Sequence, residues 1–221
     1  SFMREGTPPR GMPPAGALLY QPIPFPGFEN LPAERDSSEE RFRMLVERVG
    51  YRNARVLDLG CANGFFLFRL AQTEGALAAG LGIDRVPDNV ELSRRIAALH
   101  GVDRLRFECA ALLDAEASGL VRSERWDVCH LLSVHHHVLR EEGPKRCRAL
   151  IRSLHQQCGV LVVEQGSLTS DEYRDWTGRD EPFSSWSFSR LVSMLEACGI
   201  PQEECSVVGL GMYRSGLRPD A

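Results

Sequence analysis

The chain has 221 residues, the size of one large domain, because a single hydrophobic core serves chains of up to about 250 residues. Hydrophobic residues make up 43% and charged residues 25%, which excludes disordered, collagen-like and coiled-coil proteins. The formal net charge of -4 argues against a protein held to nucleic acid by an overall basic field. A local basic patch remains compatible with that total.

The cysteines indicate a reducing environment. The sequence contains 7 of them, an odd number, and no two have the C-x-x-C spacing. This pattern disfavours both a disulfide framework and a structural zinc site. No apolar stretch reaches the roughly 18 residues needed to span a bilayer. We therefore expect a cytoplasmic protein with no metal and no membrane association.

The first 34 residues are rich in proline, which excludes a persistent helix or central strand there. We interpret residues 1–34 as an irregular arm and residues 35–221 as the folded domain. Ser1 and Phe2 precede Met3, and we expect them to be a cloning remnant. The second half of the arm carries many apolar side chains and should pack on the domain; these are Leu18, Leu19, Tyr20, Ile23, Phe25 and Phe28.

A helix is predicted after Asp36. Ser37 and Glu40 have the spacing of a capping box. Apolar side chains then recur at helical spacing, at Phe42, Leu45, Val46 and Val49.

Strands and helices then alternate to the end of the chain. Such alternation predicts an α/β fold, a Rossmann-like, doubly wound, mostly parallel sheet with helices on both faces. A late strand pair joined by a turn at Gly211 adds one antiparallel strand near the C-terminus, for seven strands in all. The predicted strands are 55–59, 78–83, 105–109, 126–132, 159–164, 205–210 and 212–217, and the helices are 64–73, 88–99, 144–155 and 188–198.

The sharpest motif is the segment VLDLGCANGFF at residues 56–66. A buried strand runs through a turn of small residues directly into a helix, so backbone amides at the helix start can approach a ligand closely. Twenty residues after Gly64, the next strand ends in Asp84, where a carboxylate can accept both hydroxyls of a ribose. A different nucleotide such as NAD or FAD, or a purely structural turn, would also explain the glycines taken alone.

This arrangement resembles the class I S-adenosylmethionine-dependent methyltransferases, whose first loop reads acid-x-Gly-x-x-x-Gly. The resemblance implies S-adenosylmethionine as cofactor, with Asp58 and Gly60 beside its methionine part and Asp84 at its ribose. The acid that such families place after the third strand is absent here, so backbone groups of Ala111 and Leu112 are expected to contact the adenine. The full set of expected cofactor residues is Asp58, Gly60, Cys61, Ala62, Asn63, Gly64, Asp84, Arg85, Ala111, Leu112 and Ser133.

Three histidines at 135–137 follow the fourth strand and should emerge at the carboxyl edge of the sheet, where ligands of open α/β sheets bind. We predict His136 or His137 as the catalytic general base, with activity rising through about pH 6 to 7. Packing of the loop is the alternative role. The spacing of His137 and Glu141 also allows a metal site, which we do not favour. His130, within the strand, is expected to be a core residue.

Further residues are candidate substrate contacts. Glu164 ends the fifth strand and is either a substrate contact or a loop anchor. The long polar and aromatic stretch from Gln165 to Ser187 could form a lid together with the arm, or simply add to the core. Its Trp176 and Trp186, with Tyr20 of the arm, complete the expected substrate set.

The predicted function is methyl transfer to a hydroxyl or amine of a small molecule, such as a sugar or a natural-product intermediate. An RNA or protein methyltransferase is an alternative, because Lys145, Arg148 and Arg152 share one face of the helix 144–155. A cofactor-binding partner subunit without activity is the third reading. The oligomeric state stays open.

Overall fold

The computed structural model describes residues 18–28, 31–35, 37–165 and 188–208. Its centre is a five-stranded sheet in the order β3-β2-β1-β4-β5, with every strand pair parallel. The α/β class and the parallel sheet predicted from the sequence are thereby confirmed. The elements are α1 Ser38–Val49, β1 Ala54–Leu59, α2 Phe65–Gln72, β2 Leu77–Asp84, α3 Pro87–Leu99, β3 Leu105–Cys109, α4 Leu112–Ala117, β4 Trp126–Leu132, α5 His135–Gln157, β5 Cys158–Glu164, α6 Phe188–Ala197 and a 3-10 turn Gln202–Glu204.

Successive residues of each strand point to opposite faces of the sheet and so belong to two separate cores. Val56 belongs to the core shared with α1, α2 and α3. Its neighbour Leu57 belongs to the core shared with α4, α5 and α6. The sheet is therefore covered on both faces, and the carboxyl ends of all five strands meet along one edge.

The arm packs on the first of these cores, as expected. Leu19 pairs with Ala33 in an isolated parallel bridge, and its N–H donates to the carbonyl of Pro32 at 2.9 Å. Phe25 is buried and stacks on His100 with ring centroids 4.1 Å apart. The described part of the arm is thus a layer over α2 and α3.

Four local details differ from the sequence predictions. Ser37 makes no side-chain capping bond, so the capping box is wrong; Ser38 instead donates its hydroxyl to the carbonyl of Arg35 at 2.9 Å. The short helix α4 was not predicted, because its 6 residues are too few to show a helical period. The helix predicted from 144 is present, and an unpredicted helical segment from His135 precedes it across a break at Gly143 (φ 81°, ψ 170°); the two segments together are labelled α5.

The fourth detail is the end of the chain, where residues 205–208 form no strand. The rest of the predicted strand pair lies outside the described residues, so seven strands with an antiparallel one stay a prediction. In the part of the chain that the structure describes, no helix has both the length and the apolar character that a bilayer crossing requires.

Candidate active site

The loop after β1 is built as a tight turn against the end of β2. Gly60 adopts φ 72° and Gly64 φ 80°, conformations that favour glycine. The N–H groups of Gly60 and Cys61 both donate to the carbonyl of Ile83, at 2.7 and 3.1 Å, and Gly64 donates to Cys61 at 2.9 Å. These bonds hold the loop together; the amides predicted to approach a ligand are those at the start of α2, from Phe65 onward.

Gly60 also faces the loop that follows β4. A Cβ at this position would stand 2.5 Å from Cγ2 of Val134, inside any acceptable contact. The absent side chain therefore lets the β1 and β4 loops approach each other, and it brings the first loop next to the three histidines.

Asp84 ties the second strand to the first loop. Its Oδ2 accepts the N–H of Ala62 at 2.8 Å and its Oδ1 accepts the N–H of Val86 at 2.9 Å. Each carboxylate oxygen has two lone pairs, so both retain capacity for a further donor such as a hydroxyl. The aspartate is held in one orientation at the carboxyl edge, as its predicted role requires.

Asp58 lies beneath this rim with 2% of its surface exposed. Burial, followed by the nearby charge of Asp84, raises its pKa to about 7, while Arg41 acts in the opposite direction. Its Oδ2 has no hydrogen-bond partner. A buried carboxylate oxygen without a hydrogen-bond donor is energetically unfavourable, so a polar or cationic group bound at this point would stabilise it.

Asn63, predicted to contact a cofactor, binds the arm instead. Its Nδ2 donates to the carbonyl of Gln21 at 2.7 Å, and its Oδ1 accepts the N–H of Gln21 at 3.2 Å. Both side-chain groups are thus engaged. The adjoining Tyr20 carries the guanidinium of Arg35 over its ring, 4.9 Å from the centroid.

Glu164 is an anchor in this structure. It accepts a hydrogen bond from Nε of Arg41 at 2.8 Å and a second, close contact from Nη2 of the same arginine. Ser133, at φ 54°, donates its hydroxyl to Glu164 at 2.7 Å. The glutamate therefore joins α1 to the loop after β4, which favours the anchoring role over substrate contact. The contribution of Arg41 was missed because it lies 123 residues away.

The histidines gather at the start of α5. The ring centroids of His136 and His137 are 4.4 Å apart. Burial is the main cause that lowers the pKa of His135 to about 4 and that of His136 to about 2, and it also lowers the pKa of His137. The rings are therefore neutral at physiological pH, and burial shifts their protonation to lower pH than that of a free histidine.

Several arginines surround these rings. Arg35 and Arg140 act electrostatically on His136, and Arg140 and Arg85 act on His137. Arg85, expected at the cofactor, forms an ion pair with Glu141 at 2.7 Å. Among the residues that the structure describes, no group of three or more His, Cys, Asp or Glu side chains could hold a metal ion.

The remaining predicted residues have simple positions. Cys61 is buried in the first loop. Ala111 and Leu112 cap and open α4, beside the end of β3. Trp176 and Trp186 lie outside the described residues.

The basic face of α5 is partly engaged. Nε of Arg152 donates to the carbonyl of Cys198 at 2.9 Å, which attaches α5 to the end of α6. Lys145, Arg148 and Arg152 are all exposed. The face predicted for a macromolecular acceptor thus keeps its three cations at the surface, although Arg152 is also bonded to the end of α6.

The sequence is similar to that of known methyltransferases. A family model described as "Methyltransferase domain" matches residues 51–188. Protein-lysine N-methyltransferase EFM4 of Saccharomyces cerevisiae is 42% identical over 91 residues, 38% of this chain and 38% of that protein. The O-antigen chain terminator bifunctional methyltransferase/kinase WbdD of Escherichia coli is 29% identical over 167 residues, 71% of this chain and 22% of that protein. The chain thus spans well under half the length of these curated relatives.

Solved structures share the fold. A structure of the bifunctional kinase-methyltransferase WbdD superposes with a TM-score of 0.55 at 25% identity, covering 75% of this chain and 37% of that one. The N-terminal domain of EvdMO1 with S-adenosylhomocysteine bound superposes with a TM-score of 0.54 at 18% identity, covering 81% of each chain.

Proposed function

The chain belongs to the class I methyltransferase family, and from that premise we propose that it transfers a methyl group from S-adenosylmethionine to a hydroxyl or amine of a small molecule. One observation carries the proposal: the N–H of Ala62, in the first loop, donates to Oδ2 of Asp84 at 2.8 Å. This bond joins the loop after β1 and the end of β2 into one rim at the carboxyl edge of the sheet. Below that rim lies a buried carboxylate oxygen of Asp58 without a partner.

S-adenosylmethionine is the cofactor, and the residues present fit it. The cofactor carries an ammonium group and a ribose with two hydroxyls. Asp58 offers an unmet buried acceptor to the cationic amino-acid end, and Asp84 keeps lone pairs for the hydroxyls. Cys61, Ala62, Gly64, Arg85, Ala111, Leu112 and Ser133 complete the proposed cofactor surround.

When bound, the cofactor supplies an activated methyl group, so the protein has to align the acceptor and remove its proton. We assign the removal of this proton to His137, whose ring is less buried than those of His135 and His136. Glu141 and Asp84 favour its protonated form, against the effect of burial and of Arg140 and Arg85. His136 then orients the acceptor. A neutral imidazole carries a lone pair on one of its two nitrogens, the form that can accept a proton or a hydrogen bond.

A small acceptor is supported by the arm. The arm is fastened to the first loop through Asn63, and it brings Tyr20 and Arg35 to the same region as His136. An edge covered in this way offers less room for a long polymer. The similarity to a protein named as an O-antigen chain terminator supports a sugar-type acceptor.

A protein amine is the second candidate acceptor, favoured by the similarity to a protein-lysine N-methyltransferase. An RNA acceptor would use the exposed Lys145 and Arg148, and it would show binding that falls steeply with salt. We also propose a cytoplasmic location, because all the cysteines are free thiols, as a reducing compartment would keep them.

Titration calorimetry with S-adenosylhomocysteine tests the cofactor assignment. Asp84→Ala should weaken binding by about 1 to 3 kcal/mol, the range for hydrogen bonds to a charged group. Asp127→Ala is the matched control, since Asp127 also accepts a backbone N–H, from Arg55 at 2.7 Å, but at the opposite end of the sheet. Absence of binding at millimolar ligand would refute the proposal.

The acceptor class needs a transfer assay. The protein and labelled S-adenosylmethionine are incubated in separate reactions with sugar and metabolite pools, with protein extract and with RNA. Label in small molecules supports the proposal, and label only in protein or RNA replaces it with the second reading. Cofactor binding with no transfer to any pool indicates a non-catalytic partner subunit.

A further inference from the structure

A chain of three polar groups runs from the candidate site into the core behind it. Asp58 and His130 are register partners on β1 and β4, and His130 Nδ1 lies 3.7 Å from Asp58 Oδ1, too far for a hydrogen bond but close enough for an N–H at Nδ1 to act electrostatically on the carboxylate. On the other side of the ring, Nε2 lies 2.6 Å from the hydroxyl of Tyr51. Their exposed fractions are 2%, 0% and 9% for Asp58, His130 and Tyr51.

The contacts of His130 decide which ring nitrogen carries the proton. Burial lowers the pKa of His130 to about 3 and raises that of Tyr51 above its usual value, so both groups are neutral and the ring carries one proton. If Tyr51 donates to Nε2, the proton lies on Nδ1 and points toward Asp58. The other tautomer would turn the Nδ1 lone pair toward a carboxylate, which is repulsive once Asp58 is ionised.

We propose that Tyr51 and His130 are positioning residues for the cofactor: Tyr51 fixes the Nδ1–H tautomer of His130, and this N–H stabilises ionised Asp58, which receives the cationic end of the cofactor. The inference rests on the proposed function for the last step alone. It adds two residues that touch no reactant, and it explains why a tyrosine and a histidine occupy core positions.

The need for such a donor follows from the surroundings of Asp58. Asp84, at the end of β2, opposes its ionisation, while Arg41, on α1, favours it. The thiol of Cys61, in the first loop, is kept protonated by burial and by Asp58. Burial and Asp84 together outweigh Arg41, so the carboxyl titrates near neutrality, where a donor from β4 changes the fraction that is ionised.

Three variants separate the steps. His130→Leu removes the donor, while His130→Asn keeps one, since an asparagine amide nitrogen reaches the place of Nδ1. Tyr51→Phe removes the group that fixes the tautomer. Affinity for S-adenosylhomocysteine is measured by calorimetry from pH 6.0 to 8.5, and circular dichroism verifies that each variant is folded.

We expect His130→Leu to bind about tenfold more weakly than the wild type at pH 6.5 and nearly as well at pH 8.5, because a shift of one pKa unit changes the ionised fraction by up to that factor. His130→Asn should restore the wild-type profile, and Tyr51→Phe should lie between the two. An equal loss at every pH, or no rescue by His130→Asn, would overturn the proposal.

A second readout needs no cofactor. Nitrogen NMR of labelled imidazole reports the tautomer of His130 in the protein alone, and we expect Nδ1 to be protonated in the wild type and the preference to weaken in Tyr51→Phe. A wild-type Nε2 proton contradicts the inference. Failure of the wild type to bind S-adenosylhomocysteine, with the Nδ1 tautomer present, would refute the proposed function and leave the tautomer assignment standing.

Discussion

Gln21 and Asn63 are 42 positions apart in the chain and exchange two hydrogen bonds, as two paired backbone segments would. The amide oxygen of Asn63 accepts the N–H of Gln21 and its amide nitrogen donates to the carbonyl of Gln21, at 3.2 and 2.7 Å. Both residues are buried, with 4% and 1% of their surfaces exposed. One side chain of the first loop therefore fastens the proline-rich arm across the candidate site.

Asn63→Ala should release the arm. It leaves a buried N–H and a buried carbonyl of Gln21 without partners, at a cost of about 1 to 3 kcal/mol in the free energy of unfolding. Urea denaturation measures this, and limited proteolysis should show faster cleavage within residues 18–35. Gln72→Ala is the matched control, because Gln72 also donates to the arm, at Pro24, but from an exposed position. Equal effects of the two changes would contradict the anchoring role.

Gly60→Ala should impair both folding and cofactor binding. An alanine at φ 72° is strained by about 1 to 2 kcal/mol, and its Cβ would collide with Val134, which adds about 1 to 3 kcal/mol. Gly75→Ala isolates the first effect, since Gly75 has φ 67° and open space around it. In denaturant titrations the double variant Gly60→Ala/Val134→Ala should recover to the level of Gly75→Ala. No recovery would mean that the collision is not the cause.

Glu164→Gln should act on stability more than on acceptor binding. The change removes the charge opposite Arg41, whose side chain is 11% exposed, and we expect a loss of about 1 to 3 kcal/mol in the free energy of unfolding. Glu108→Gln breaks an exposed pair with Arg94 at 2.9 Å and should cost less than about 1 kcal/mol. A stable Glu164→Gln variant with a raised KM for the acceptor would instead support the substrate role.

The pH profile should lie on the acid side of that of a free histidine. Burial lowers the pKa of both His136 and His137, so the fall in kcat at saturating cofactor, as the base becomes protonated, should occur at lower pH than an unperturbed imidazole pKa of about 6.5 would give. His137→Ala should lower kcat by about 10² to 10⁴-fold with cofactor affinity nearly unchanged.

His155→Ala, at the far end of α5, provides the control for this prediction. Activity that rises steeply between pH 6 and 7 would show that burial does not lower the pKa of the catalytic base. Full turnover in both His136→Ala and His137→Ala would make the histidines structural, with alignment alone responsible for catalysis.

The sequence by itself determined the succession of strands β1 to β5 along the chain, the turn after β1 and the acid at the end of β2. These features depend on local patterns: alternation of apolar residues, glycines at tight turns and polar residues at strand ends. Where local signals were weak, prediction failed. The segment of α5 before Gly143 is absent from the sequence prediction, because a histidine-rich segment followed by Gly143 and Pro144 shows no helical period.

The tertiary structure alone decided which predicted groups are still available to a ligand. The sequence assigns Asn63 to a cofactor, but the arm occupies its amide. The sequence allows two roles for Glu164, and the ion pair with Arg41 favours the anchoring one. In the first loop, the carbonyl of Ile83 accepts the N–H groups of Gly60 and Cys61, so these two amides are already used within the fold. In each case the partner comes from a different element of the fold. The type of a residue shows which partners its side chain can bind. Only the packing of distant segments determines whether its hydrogen-bonding groups are already occupied within the fold.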